Sequence, residues 1–309
     1  MHTNSFFLSE EFSQLQESLA YRGKIYRIEV AGVRALVVRM KRRFGLRWLW
    51  VLAEGTNDKG WGDMDMEFAH ELYKIAKKEK AIYARVEPVN NVMSEFWPGL
   101  KRATKRYTPD CTLVVDLSLS ETEILSQMKP KGRYNIKIAQ KHGVEVKRFD
   151  EFEKIPAADF EAFYTILRTT GERDGFGINP KFYYEQLLKI FGAKKKSSLF
   201  LAYHNEHVLG GIIVVYEGKT ATYYYGASSN ESRNTMANYA LQWEAMRHAK
   251  TRGMTSYDFL GIAPNDEPNH PWQGITDFKK KFGGTEKKYP AAIQIVYRPF
   301  LHTLTRLSR

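Results

Sequence analysis

Five consecutive residues, Phe278-Lys279-Lys280-Lys281-Phe282, carry three ammonium groups between two aromatic rings and run into Gly283-Gly284. On a short helix such a triplet is either a solvated basic face or a way of aiming one lysine into a reaction cleft. Tyr223-Tyr224-Tyr225 ends an apolar run and precedes a loop. Strand side chains alternate, so Tyr224 is expected on one face and Tyr223 and Tyr225 on the other. Asp258, between Tyr257 and Phe259, needs a partner or a wet cleft. Asp116 closes the apolar run Leu113-Val114-Val115 and reads equally as a turn former or as an anion at a substrate pocket. His204-Asn205-Glu206-His207 has metal-ligand residue types, but it sits where two strands should turn, and no matching third group accompanies it. A hairpin turn is expected there, and no metal. Cys111, the single cysteine, lacks a neighbouring base and reads as a structural thiol.

The elements that must position these groups follow from periodicity. Lys24–Val30 and Val33–Met40, joined by Ala31-Gly32, read as a hairpin, and Leu46–Ala53 as a third strand. Phe68, Leu72, Ile75 and Ala76 recur at helical spacing, and Ala81–Pro88 reads as the next strand. Ser120 with Glu123 forms a capping box. Pro130 and Gly132 are expected to interrupt that helix, with a second helix from about Arg133 to His142. From residue 198 the earlier order returns: two strands about His204–His207, a third through Tyr225, a helix over 235–250, and the strand Ser256–Leu260. The repeat predicts two similar α/β domains with mixed sheets, 1–149 and 150–309, with the strand Ala291–Tyr297 completing the second.

The chain has 309 residues, 43% hydrophobic and 27% charged, with a net charge of +12. That composition supports packed cores and argues against disorder, and the charge favours a polyanionic partner: nucleic acid, a nucleotide-linked substrate or an anionic membrane surface. A single cysteine excludes an intrachain disulfide and suits a reducing compartment. No apolar run approaches the ~20 residues of a spanning helix. A cytoplasmic protein is expected, peripheral at most to the membrane.

Six pieces occur in the order seen in the Fem family of peptidoglycan-bridge aminoacyltransferases: Thr112–Leu117, Lys131–Ile136, Gly171–Phe176, Tyr225–Ser228, Tyr257–Phe259 and Gly274–Gly283. The sequence resembles the shorter members of that family, since no long helical hairpin interrupts the second domain. The resemblance implies two tandem GNAT-like acyltransferase domains. It also implies transfer of an amino acid from aminoacyl-tRNA to the stem-peptide amine of a peptidoglycan precursor, nucleotide-linked or lipid-linked, by a monomer without a cofactor. It places a lysine directly after Phe278, so Lys279 is the expected catalytic residue, opposite the developing oxyanion. Asp116, Tyr225, Tyr257 and Phe278 are the expected substrate-binding residues. The rivals are an acyl-CoA-dependent N-acyltransferase on the same fold and a basic RNA-binding protein without catalysis. The first is disfavoured because Ser228–Met236, where CoA phosphates would need a glycine-rich turn, contains no glycine.

Overall fold

The computed structural model describes residues 5–19, 22–30, 32–55, 64–90, 101–103, 105–175, 177–265, 267 and 269–307. Ala31 and Phe176, in the expected hairpin and in one of the six pieces, lie outside them. The chain divides into two compact units, Met1–Asp110 with Lys288–Arg309, and Cys111–Lys287.

In the first unit, α1 (Glu10–Ser18) starts at Ser9, whose hydroxyl accepts the Phe12 N–H at 3.2 Å. Strands β1 (Arg22–Val30), β2 (Val33–Lys41) and β3 (Arg47–Gly55) form an antiparallel meander. Helix α2 (Met64–Glu79) then carries the chain to β4 (Tyr83–Pro88), parallel to β3. A parallel neighbour needs such a crossover. Phe68, Leu72 and Ala76 of α2 bury against Leu49, Val51, Ala84 and Val86. Alternation therefore turns Trp48, Trp50, Tyr83 and Arg85 to the opposite face. A short β5 (Lys101–Arg102) completes the sheet with β13 (Ile293–Val296), which precedes α9 (Pro299–Leu307); the strand order is β1-β2-β3-β4-β13-β5.

The second unit begins with β6 (Cys111–Asp116), α3 (Glu121–Gln127), α4 (Pro130–Lys141) and β7 (Glu145–Phe149). The capping box at Ser120 forms as expected. Pro130 is the first residue of α4 rather than a break before it; its missing N–H costs nothing there. Next come α5 (Ala157–Asp174), α6 (Lys181–Gly192), β8 (Ser197–His204), β9 (His207–Glu217) and β10 (Thr220–Ser228). Then follow α7 (Ala237–Thr251), β11 (Ser256–Ile262), α8 (Gln273–Lys279) and β12 (Thr285–Lys288), in the sheet order β12-β6-β11-β10-β9-β8-β7. Asn205 and Glu206, both at positive φ, make the β8–β9 turn, as expected for a hairpin.

The repeat in element order is present in the topology. Three antiparallel strands, a helix, and a parallel fourth strand occur as β1-β2-β3-α2-β4 and as β8-β9-β10-α7-β11. Each fourth strand has an antiparallel strand on its far side, β13 and β6 respectively. This corrects the expected division near residue 150. Strand β6 and helices α3 and α4 belong with the second unit, because β6 pairs with β11 along its length. The strand expected at 291–297 completes the first sheet, not the second, through pairing of Ile293–Val296 with β4.

Candidate active site

Two strand irregularities build the site. Strands β10 and β11 run parallel for three pairs, ending at Thr222↔Asp258. One residue later each strand is bulged. On β10, Tyr223 pairs with Val214 and Tyr225 with Ile213, so Tyr224 is the extra residue. On β11, Asp258 pairs with Val114 and Gly261 with Thr112, again one residue more than its partner strand. Leu260, within that bulge, is held at φ 56°, an uncommon conformation for a residue of its type. The Asp258 carboxylate staples the bulge: it accepts the Leu260 N–H at 2.7 Å and the hydroxyl of Thr112 on β6.

Helix α8 lies against this bulge. The Thr276 hydroxyl accepts the Ala263 N–H at 2.7 Å and donates to the Trp272 carbonyl. Residues three apart share a helix face, so docking Thr276 inward also turns Lys279 inward. Lys279 is 6% exposed; its Nζ donates to the Gly261 carbonyl at 2.6 Å and lies 5.4 Å from the centre of the Tyr223 ring. Burial pushes the Lys279 pKa down from 10.5 to about 7, partly offset by the negative charge of Asp258. Burial raises the pKa of Asp258 itself, opposed by its hydrogen bonds to Thr112 and Leu260 and by Lys279 and Lys287. The other two lysines of the triplet point elsewhere: Lys280 pairs with Glu286 at 2.7 Å, and Lys281 Nζ caps the Asp277 carbonyl at 3.0 Å.

The turn after α8 is held in place by α4. The Lys129 N–H donates to the Lys281 carbonyl at 3.1 Å. Gly132 passes so close to that carbonyl that a Cβ would sit 2.3 Å from its oxygen. Phe278 and Phe282 pack on Tyr239 at ring distances of 5.2 and 5.5 Å, fixing the aromatic side of the lysine triplet.

The expected site residues do not all meet. Lys279 reaches the bulge through the Gly261 carbonyl, whereas the Phe278 ring packs on Tyr239 and Phe282. Tyr257 is fully buried, its hydroxyl donating to Gln242 at 2.7 Å, and serves the core beneath the site. Tyr225 does not share the face of Tyr223, because the bulge at Tyr224 resets the alternation. It joins a tyrosine cluster instead: its hydroxyl donates to Tyr183 at 3.2 Å and accepts from Asn179 at 3.1 Å, and its ring lies 4.3 Å from that of Tyr224. Asp116 is an exposed turn former, accepting the Ser118 N–H at 2.8 Å and its hydroxyl at 2.6 Å. It pairs with Ser256, five residues along β11 from Gly261, which is roughly 17 Å from the lysine end at strand rise. Tyr223 is the residue against Lys279. Its signal in the sequence was the tyrosine triplet, which a strict two-residue period divides wrongly. The Tyr223 ring lies across residue 226, which is glycine; a Cβ there would fall 2.0 Å from the Tyr223 hydroxyl. Among the described residues no group of histidine, cysteine and acidic side chains could hold a metal.

The frame is thus a two-unit α/β chain with paired bulges and a buried lysine where two strands part. The FemAB family profile matches residues 92–207 and 202–308. The chain belongs to the FemAB family. The Lipid II:glycine glycyltransferase of Staphylococcus saprophyticus subsp. saprophyticus is 23% identical over 285 residues, 68% of this chain and 67% of that protein. The protein of the same name from Staphylococcus aureus is 23% identical over 290 residues, 68% of each chain. The crystal structure of FemX superposes with a TM-score of 0.80 at 17% identity, covering 98% of this chain and 94% of that one, and shows the same fold.

Proposed function

We propose that the protein moves an amino acid from aminoacyl-tRNA to the stem-peptide amine of a peptidoglycan precursor. The observation that carries this reading is the buried Lys279 ammonium, held by Gly261 where β10 and β11 part, in a chain of the FemAB family. The relatives' names supply the acceptor class. An aminoacyl ester is already activated, so the protein must bring the amine to the carbonyl and stabilise the oxyanion of the tetrahedral intermediate. Lys279 in its charged form is the donor for that oxygen. Tyr223 provides an apolar wall beside it, where the charge acts more strongly than in water, and Phe278 anchors the helix that carries it by packing on Tyr239. Tyr225, Tyr257 and Asp116 support the site from outside it: Tyr225 through the tyrosine cluster, Tyr257 through the core, Asp116 through its turn.

Exposed Lys131, Lys137 and Lys141 of α4, a helix without an acidic residue, form a polycation stripe suited to tRNA phosphates. In this reading the enzyme is a monomer that meets its acceptor at the cytoplasmic face of an anionic membrane. No helix among the described residues is long and apolar enough to cross one.

A pKa of about 7 also favours a second reading, in which neutral Lys279 accepts the amine's proton. Lys279→Arg separates the two: a permanent cation serves an oxyanion but cannot act as a base. The overall reading is tested by incubating the protein with mixed charged tRNAs and either nucleotide-linked or lipid-linked muropeptides, with products read by mass. An aminoacyl mass added to the muropeptide, dependent on charged tRNA, is expected. Transfer from acyl-CoA without tRNA would overturn it.

A further inference from the structure

Among the described residues of the first unit, Arg106 and Arg39 are held by acidic partners, and Arg85 is not. Arg106, its side chain 8% exposed, bonds Asp110 at 2.8 Å, Thr108 at 2.8 Å, the Pro88 carbonyl at 3.1 Å and the Pro290 carbonyl at 3.2 Å. Arg39 pairs with Glu79 at 2.9 Å. Arg85, on β4, is only 6% exposed, and among the described residues it has neither an acidic partner nor a hydrogen-bond acceptor; its Nε is buried and unmatched. Its guanidinium lies instead against two aromatic rings, 4.9 Å from the centre of Trp48 and 5.5 Å from that of Tyr107.

The acid nearest along the strand cannot serve it. Glu87 lies two residues on, on the same face, and is fully buried. Its oxygens already accept the Tyr107 N–H at 2.9 Å, the Thr108 N–H at 2.9 Å and the Thr108 hydroxyl at 3.0 Å. Those bonds hold Tyr107 over the arginine. A second orphan donor stands beside it: Trp50, the register partner of Arg85 on β3, has a buried indole Nε1 with no acceptor, and its ring lies 5.3 Å from Tyr107. Arg34, Arg39 and Arg106 each keep an acidic partner, although the Nε atoms of Arg34 and Arg39 are unmatched; Arg85 keeps none, and an indole N–H beside it is also unmet. Leaving such groups unpaired is strongly unfavourable, so a ligand that meets them is the economical explanation.

We propose that Arg85, Trp50, Trp48 and Tyr107 form an oxyanion-binding subsite, in which the planar guanidinium receives a phosphate or carboxylate of the substrate and the rings flank the group that bears it. Arginine rather than lysine suits this task, because its fork bonds two oxygens at once while its faces stack on rings. Tyr107, 58% exposed, is the wall through which the anion enters. The subsite lies wholly within the first unit and does not depend on the role given to Lys279. It names a second feature that the substrate must possess: an anionic group separate from the reacting amine.

The two tryptophans report on the site directly. Full-length protein is titrated with inorganic pyrophosphate, with N-acetyl-dialanine, and with the C-terminal amide of that dipeptide, following tryptophan fluorescence. Saturable quenching by pyrophosphate assigns the subsite to a phosphate, and quenching by the dipeptide but not its amide assigns it to a carboxylate. Arg85→Met should weaken the effective probe roughly 10- to 100-fold, the loss of a charge-assisted contact, while raising Tm, since it removes an unpaired buried charge. Tyr107→Ala, at an exposed side chain, should weaken the same probe in a fold whose stability is little changed, and stands in should Arg85→Met not fold. No saturable response to either anion in the parent protein, or an equal response in both variants, overturns the proposal. So does a lowered Tm in folded Arg85→Met with anion affinity retained, which would make Arg85 structural.

Discussion

Replacing Lys279 with methionine should make the protein more stable at neutral pH and should do so by an amount that depends on pH. The folded state holds the ammonium at 6% exposure, and its pKa falls from 10.5 to about 7. Above pH 10.5 the lysine is neutral in both folded and unfolded chains and carries no penalty. As pH falls below that, the unfolded chain takes up a proton that the folded chain refuses, so stability declines until about pH 7, below which the penalty is complete. At 1.36 kcal/mol per pH unit, the full penalty is about 5 kcal/mol. Methionine keeps most of the apolar stem but leaves the Gly261 carbonyl without its donor, which costs about 1–3 kcal/mol, and it loses the contact with the Tyr223 ring, worth about 0.5–2 kcal/mol. The net gain below pH 7 is therefore roughly 0–3.5 kcal/mol. The pH dependence is the sharper test, because the lost contacts cancel in it. Between pH 7 and pH 9 the advantage of Lys279→Met over the parent should shrink by about 2 kcal/mol, measured by urea unfolding of both proteins at each pH. A difference that stays constant across that range would show that Lys279 is protonated in the folded state throughout, and the argument for a tuned lysine would fail.

Other perturbations follow from the same geometry. Asp258→Asn removes the one negative charge that raises the Lys279 pKa, so that pKa should fall further, read by the nitrogen chemical shift of labelled lysine against pH. Gly132→Ala drives a Cβ into the Lys281 carbonyl and should cost about 1–3 kcal/mol as the turn beside Lys279 is displaced, seen as a lower urea midpoint together with reduced turnover. Replacing Lys131, Lys137 and Lys141 together with alanine should reduce the salt slope of tRNA binding by about 2–3, leaving the unfolding midpoint close to the parent value.

Much of the frame was legible in the residues, and the exceptions have physical causes. The Ser120 capping box, the His204–His207 turn and the repeated strand-helix-strand order are local signals, and each stands in the structure. The strand over 291–297 was legible as a strand but not as a member of the first sheet, because pairing across more than two hundred residues leaves no local trace. The same limit hid the unit boundary, since β6 joins its sheet by pairing with β11, far along the chain. That one lysine of the triplet, Lys279, turns inward was legible through the Fem-family pattern. Tyr225 was expected on the face of Tyr223, and a single bulge residue, Tyr224, reverses that face; Tyr257, on β11 ahead of its bulge, turns into the core, where its hydroxyl finds Gln242. Arg85 was invisible: an arginine in an alternating strand reads as solvent-facing until the rings of Trp48 and Tyr107 are seen to close over it.

The most direct test of the account is a single-turnover comparison of parent and Lys279→Met with donor and acceptor prebound at saturation. Removing an oxyanion donor should slow transfer by about 100- to 1,000-fold, while the dissociation constants of tRNA and muropeptide change little, because the contact is made in the transition state. Lys280→Met and Lys281→Met, whose side chains meet Glu286 and the Asp277 carbonyl, should transfer at close to the parent rate. A Lys279→Met protein that transfers as fast as the parent, or one slowed only through weaker substrate binding, would contradict the central claim.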